Sequence, residues 1–457
     1  MPGAEDATAA AAAELRSAWD DMLGRLERAR EAITDPALHP PPATDRNLAE
    51  GYRYLLGFLF GAVERACFGD PDFPYFRRAI QVIDKSTIDN ADAMYLTTPI
   101  DGTCTYRVRG RAEDARHWRG EPPAPVGRKA PQYVIFEAHT GYAGDSGGLA
   151  ELQPGGRANT GKLDTATLEV DPDGSFEILL APERPPGHTG NFIATRRTSR
   201  RTGATNTAEH LSMRVLFHDW EREDPLDLHI AQGGQAGRHP PVLDAATAAA
   251  QLRRVGEIVD HQMRFWNEFY AVVLGTYGDL RGEGRRYMPR NDLNVPSPAD
   301  LARGGGQSTN VYSGGVYELQ PDEALVIEVR TPVTPAYSGF HLANLWGESH
   351  DYANRVTSLN GFQAEVDDDG AARYVVAYSD PGVPNWLDTT GLDEGFMSLR
   401  WTYSVTPEEL PTTKVIKVSS DAIRDHLPLR TRTVTPDERR GQVRVRQEHV
   451  QRRYRQS

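Results

Sequence analysis

The chain states one order of motifs twice, and that repetition limits its fold more than any bulk property does. Around Asp171 it reads Asp-Pro-Asp-Gly-Ser, then an apolar run through Phe176, Ile178, Leu179 and Leu180. Pro186-Gly187, Asn191-Phe192-Ile193 and Ser212-Met213-Arg214 follow. Around Asp367 it reads Asp-Asp-Asp-Gly-Ala, then Tyr374, Val375 and Val376, Pro381-Gly382, Asn385-Trp386-Leu387 and Ser398-Leu399-Arg400. Self-similarity in fixed order marks a duplicated structural unit. Each copy reads as an acidic glycine turn, a strand, a Pro-Gly loop and a closing strand, which is β text. The expected fold is mainly β with accessory helices: two antiparallel jelly-roll or β-sandwich-like units bridged by a long helix.

The 457 residues divide accordingly. Residues 1–13 read as a disordered leader and 14–88 as a helical lead-in. In the lead-in, Leu15, Trp19, Met22, Leu23 and Leu26 recur at helical spacing, and a second helix starts after Thr44 or Asp45. Residues 89–230 form the first β unit and 307–405 the second. Between them, 243–277 make a bridging helix capped by Asp244, with Val255, Val259, Met263, Trp266 and Tyr270 on its apolar face. Flanking the acidic turns, 167–170 and 176–180 are expected to pair as a hairpin, and Gln363 to Val366 to be a strand. The tail, 430–457, is dense in arginine (Arg439, Arg440, Arg444, Arg446, Arg452, Arg453, Arg455) and reads as a solvated helix balancing an acidic body.

A formal charge of −13 excludes a nucleic-acid-binding body, which needs a basic face. No apolar run approaches the roughly 20 residues of a membrane span. The start lacks the basic and apolar regions of a signal peptide. Two cysteines, Cys67 and Cys104, imply no disulfide framework. The expectation is a cytoplasmic protein with no nucleic-acid or membrane partner.

The segments Tyr337-Ser-Gly-Phe-His-Leu-Ala-Asn-Leu-Trp346, Asp351-Tyr-Ala-Asn-Arg355, Ser358-Leu-Asn360 and Asp380-Pro-Gly-Val-Pro-Asn-Trp-Leu387 resemble the domain-of-unknown-function 1214 family, in its actinobacterial variety. Asn90 to Tyr95, Tyr106 to Gly110 and Phe217 to Glu221 resemble the upstream part of the same family, so the likeness runs from about Arg46 to Val405. It implies a jelly-roll-like β protein with accessory helices and no assigned activity. His350 departs from the family text, which more often has leucine there.

Reactive side chains concentrate between Phe340 and Tyr352. On a strand, Glu348 and His350 share a face, and Glu137-Ala138-His139 has the same spacing in the first unit. Glu137, His139, Glu348 and His350 together offer an N/O ligand set for a divalent metal. A metal-free arrangement uses His341 or His350 as general base near Asp351, with Arg355 or Arg400 holding an anion. Asn344, Trp346 and Trp386 are candidate substrate contacts, and Trp346, Trp386 and Trp401 a candidate aromatic wall; aromatics on strands are more often core. Arg214 and Arg400, and likewise Asn191 and Asn385, hold matching repeat positions and read as structural. Gly304-Gly305-Gly306 lacks the Lys-Ser/Thr of a phosphate loop, so no nucleotide cofactor is expected.

Two function classes follow. One is an enzyme acting on a small apolar or glycan-like molecule by acid/base or metal-assisted chemistry. The other is a non-catalytic ligand-binding or scaffold protein using the same pocket, alone or as a homo-oligomer. Alanine at Glu348 or His350 is expected to leave folding intact, because both read as strand-end surface positions.

Overall fold

The computed structural model describes residues 4–153, 156–199, 203–275, 287–298 and 309–454. Gly304–Gly306, Arg455 and most of the crossing segment after the bridging helix lie outside them. Helix α1 spans Ala4–Glu31 and α2 Asp45–Phe68. Thr44 caps α2, its hydroxyl accepting from the Asn47 N–H at 3.1 Å. The expected disordered leader is corrected: residues 4–13 are the first turns of α1, in line with the high helix propensity of their alanines.

The first unit holds β1 (Arg77–Ile80), β2 (Ala93–Pro99), β3 (Tyr106–Arg111), β4 (Tyr133–His139), β5 (Asn159–Asp164), β6 (Ser175–Ala181), β7 (Phe192–Ala194), β8 (Arg196–Thr198), β9 (Thr205–Thr207), β10 (His210–Leu216) and β11 (Asp227–Gln232). Helix α3 (Ala245–Val273) follows, capped by Asp244 as expected. The second unit holds β12 (Ser297–Pro298), β13 (Asn310–Glu318), β14 (Glu323–Arg330), β15 (Tyr337–Ala343), β16 (Ser358–Asn360), β17 (Ala371–Ala377), β18 (Trp386–Asp388), β19 (Glu394–Thr402) and β20 (Thr412–Ser419), and α4 covers Pro436–Tyr454.

The duplication is visible strand by strand. A five-stranded sheet β1-β2-β10-β4-β5 and a four-stranded sheet β11-β3-β6-β7 form the first sandwich; β12-β13-β19-β15-β16 and β20-β14-β17-β18 form the second. Within both sandwiches neighbours are antiparallel except one parallel pair in each, β6 with β7 and β17 with β18. Among the described strands, those of the β8–β9 hairpin lack a counterpart in the second unit. The second unit runs past the expected limit of 405 to Ser419, and β1 begins before residue 89.

Equivalent residues do equivalent work. The Asn191 side chain accepts from the Glu169 N–H and donates to the Glu169 carbonyl, both at 2.8 Å. Asn385 repeats this on Glu365 at 2.8 and 2.7 Å. These side chains take backbone groups that a ladder needs, so neither 167–170 nor 363–366 becomes a strand, contrary to expectation. In each Ser-apolar-Arg strand the middle residue, Met213 or Leu399, enters the sandwich core, while serine and arginine point to the opposite face.

The C-terminal helix corrects another expectation. Arg439, Arg446 and Arg453 are seven residues apart, hence on one face, and all three are buried. Arg439 bonds to Asp380 at 2.9 and 3.0 Å over the Trp386 ring. Arg446 donates to the Ser358 and Tyr352 carbonyls, and Arg453 to the Ala91 carbonyl at 2.5 Å. Both lie over the face of Trp220. Far from being a solvated counterweight, α4 straps the second sandwich to the first.

Candidate functional site

The faces of the two five-stranded sheets that point away from their own cores meet in a seam. Tyr337 of β15 packs with Ala93, Tyr133, Ile135 and Leu216 of the first unit, and Gln132 donates to the Ala336 carbonyl at 3.0 Å. Asp92 is the hub. Its carboxylate accepts from the Tyr337 hydroxyl at 2.6 Å, Trp220 Nε1 at 2.8 Å and Asn360 Nδ2 at 2.9 Å. Three donors to one group is what an ionised carboxylate accommodates. Burial pushes its pKa up, against the Tyr337 hydrogen bond and the charge of Arg453.

His341 belongs to this hub. Its Nε2 lies 3.3 Å from the Tyr337 hydroxyl and 3.9 Å from Asp92 Oδ2. Burial, reinforced by Arg400, Arg446 and Arg453, holds the imidazole well below its usual pKa, so it is neutral. It is 1% exposed, too deep to meet a molecule arriving from solvent.

The hairpin after β15 overturns the surface placement of Glu348 and His350. The Asn344 N–H donates to the Glu348 carbonyl and the Gly347 N–H to the Asn344 carbonyl, both at 2.9 Å, closing a tight turn with Gly347 at φ +74°. A Cβ there would sit 1.9 Å from the Tyr270 hydroxyl of α3, so only glycine fits. The turn carries Glu348 back under α2. There Asn344 Nδ2 bridges Glu50 at 3.0 Å and Glu348 at 2.8 Å, and Arg53 reaches Glu348 at 3.3 Å. Burial raises the Glu348 carboxyl. His350 is buried against the Tyr317 hydroxyl at 3.0 Å, and burial together with the charge of Arg46 lowers it to about 3.

The expected groupings do not assemble. Asp351 is exposed and accepts from Asn354, while Arg355 pairs with Asp388 at 3.0 Å. Neither joins His341 or His350. Glu137 is held by Arg214 at 2.7 Å in the first unit, and His139 stacks beside His210. The four proposed metal ligands are therefore split between two units. Among the described residues no group of three or more His, Cys, Asp or Glu is placed to hold a metal ion. Trp346, Trp386 and Trp401 lie in three separate cores and form no common wall.

One concave site does form where the bridging helix meets the second unit. A pocket of about 330 Å³ is lined by His39 to Pro42, the α3 residues Asn267, Tyr270, Ala271 and Leu274, and by Leu345 and Trp346. Arg290 and Glu394 complete its wall. Of the anticipated substrate contacts only Trp346 lies here, fixed by Nε1 donating to the Asn47 carbonyl at 2.8 Å. Arg290 Nη1 sits between Glu318 at 2.8 Å and Glu394 at 3.0 Å, so this edge of the site carries net negative charge. Sequence reasoning missed the three consecutive prolines, Pro40 to Pro42, as a wall.

With this geometry in hand, comparison with known proteins is informative. Residues 149–203 match the family described as "Protein of unknown function (DUF1214)". The match supports that family for this chain, and it falls on the first repeat, from the loop before β5 through β8. The crystal structure of an uncharacterised protein from Burkholderia cenocepacia is similar over 90% of this chain and 100% of its own, with 28% identity and a TM-score of 0.71. The VPA0106 protein of Vibrio parahaemolyticus aligns over 86% of this chain and 100% of its own, at 11% identity and a TM-score of 0.40. No curated protein matches. Among the described residues no helix is long and apolar enough to cross a membrane.

Proposed function

We propose that this protein binds a small, mostly apolar molecule in the pocket between the His39–Pro42 loop, α3 and Trp346. The observation that carries the reading is the pocket wall itself: proline rings, the Tyr270 and Trp346 rings and aliphatic side chains, with polar groups confined to a few positions. Its volume is at the lower end of the roughly 300–1,000 Å³ of small-molecule sites. With one arginine between two carboxylates, a neutral or basic polar end is favoured over a phosphate or carboxylate. Binding is favoured over acid/base catalysis because His341 and His350 are buried and committed to tyrosine hydroxyls. We place the protein with the actinobacterial members of the family and in the cytoplasm, where its two unpaired cysteines stay reduced.

The test is thermal-shift titration with indole, cyclohexanol and cyclohexylamine, on the wild type and on Leu274→Trp, which fills the pocket. A saturable rise in Tm for the wild type, lost in the variant, is expected. No rise with any probe, or the same rise in both proteins, would overturn the assignment.

A further inference from the structure

Helix α2 is apolar on all sides from Tyr54 to Val63, ten residues in which Tyr54 has the only polar side-chain atom. A helix of that composition belongs in an interior. Its inner half is there: Tyr54, Phe58 and Ala62 join the helical core, and Gly57 and Gly61 lie against Ile83 and Asp84. The outer half is not. Leu56 is 63% exposed, Phe60 42% and Val63 39%, and on α1 Trp19 is 51% exposed and Leu23 45%.

Contacts with α3 set these residues at matching heights along it. Helix α1 runs parallel to α3, since Glu14 and Asp21 bond to Arg253 and the Ala32 carbonyl accepts from Asn267. Helix α2 runs the other way, with the Cys67 carbonyl against Gln251 and Tyr54 in one core with Tyr270. Trp19 and Leu23 therefore stand level with Val63 and Phe60, and at the other end Ile33, just past α1, lies against Gly51 of α2. Ile83 extends the patch beyond α2.

With side chains of roughly 150–250 Å² each, the patch offers on the order of 600 Å² of apolar surface. Monomers rarely leave more than that uncovered, and a stable interface takes about 800 Å² per partner. The exposed charges along α1 have both signs (Arg16, Asp20, Asp21, Glu27), and the chain as a whole is at −13, which disfavours an anionic membrane.

We propose that the α1–α2 face is a two-fold interface with a second copy of this chain, packing four helices across the axis. A two-fold contact uses the same patch twice, so a single apolar face with a mixed-charge rim is enough to make it.

Sedimentation equilibrium of the full chain tests this against Leu56→Glu/Phe60→Glu, with Trp19→Glu as a second variant on the other helix. Val126→Glu, at an exposed site in the first unit, is the control. The wild type and control are expected at twice the monomer mass from micromolar concentration upward, and both interface variants at the monomer mass with unchanged circular dichroism. A monomeric wild type, or a dimer that survives the glutamates, overturns the proposal. So does a monomer that co-sediments with phosphatidylcholine–phosphatidylglycerol vesicles, which would make the face a membrane contact.

Discussion

Asp92 offers the sharpest test of how the two sandwiches are held together. It is 0% exposed, and it accepts from side chains of both units, Tyr337 and Asn360 of the second and Trp220 of the first. Asp92→Ala removes one acceptor from three buried donors: Tyr337 retains Asn90 and Asn360 retains the Phe217 and His218 carbonyls, so Trp220 Nε1 is the donor left orphaned. That orphaned indole N–H costs about 1–3 kcal/mol, and the weakened bonding of Tyr337 and Asn360 adds to it. The buried cations Arg446 and Arg453 also lose a carboxylate that attracts them without an ion-pair contact, which deepens the loss. Asp92→Asn keeps an oxygen for Trp220 and Asn360, while Tyr337 can turn its proton to Asn90, 3.1 Å away. Its loss should be about 1–2 kcal/mol, chiefly from the missing charge. Urea unfolding followed by tryptophan fluorescence measures both, with the midpoint and slope giving the free energy. The reasoning fails if Asp92→Ala lies within about 1 kcal/mol of the wild type, or if the two variants are equally damaged.

Two further perturbations follow from the same packing. His139, His218 and His350 are lowered by burial to about 4, 4 and 3, below their unfolded value near 6.5. The unfolded chain then binds more protons below pH 6.5, so their contribution is intact above that pH and is lost as pH falls toward the folded values. The loss is on the order of 2 kcal/mol per histidine by pH 5, and it is opposed by the buried carboxyls of Asp84 and Glu223, raised to about 8 and 7; a His218→Phe variant whose urea midpoint changes from pH 7 to 5 as the wild type's does would contradict it. Gly347→Ala should destabilise by about 2–4 kcal/mol, from the positive φ and from overpacking against the Tyr270 hydroxyl. Tyr270→Ala in the same chain, which removes both the hydroxyl and the ring carbon 2.3 Å from that Cβ, should recover the overpacking part; strictly additive losses would show that the ring is not the obstacle.

The architecture was legible where chemistry is local. Thr44 and Asp244 announce helix starts by their own side chains, and the Asp-x-x-Gly turns and matched Asn191 and Asn385 mark the repeat wherever it occurs. The site was less legible because its residues are buried by partners far off in sequence. Glu348 lies under a helix that ends some 280 residues earlier, at Phe68, and nothing between Gly347 and Tyr352 hints at that cover. The family resemblance was carried mainly by the second repeat, whereas the family match falls on the first. One signal was present and unread. Arg439, Arg446 and Arg453 at sevenfold spacing define a helix face as surely as leucines would, and counting them as surplus charge concealed that.

That arginine face also sets an order of assembly. Chains emerge N-terminus first and tend to fold in units as they do, and α4 follows every strand of both sandwiches. During synthesis the first unit can close with Asp92 and Trp220 at its surface, still hydrated, and the second can close beside it. Only when Arg446 and Arg453 arrive does the shared border gain the cations that let it shed water. A ribosome stalled before residue 436 would thus hold two folded halves with a wet, separable boundary. Sealing that boundary would then wait on α4, and truncation before it would leave halves that a cell's proteases can tell from the strapped protein.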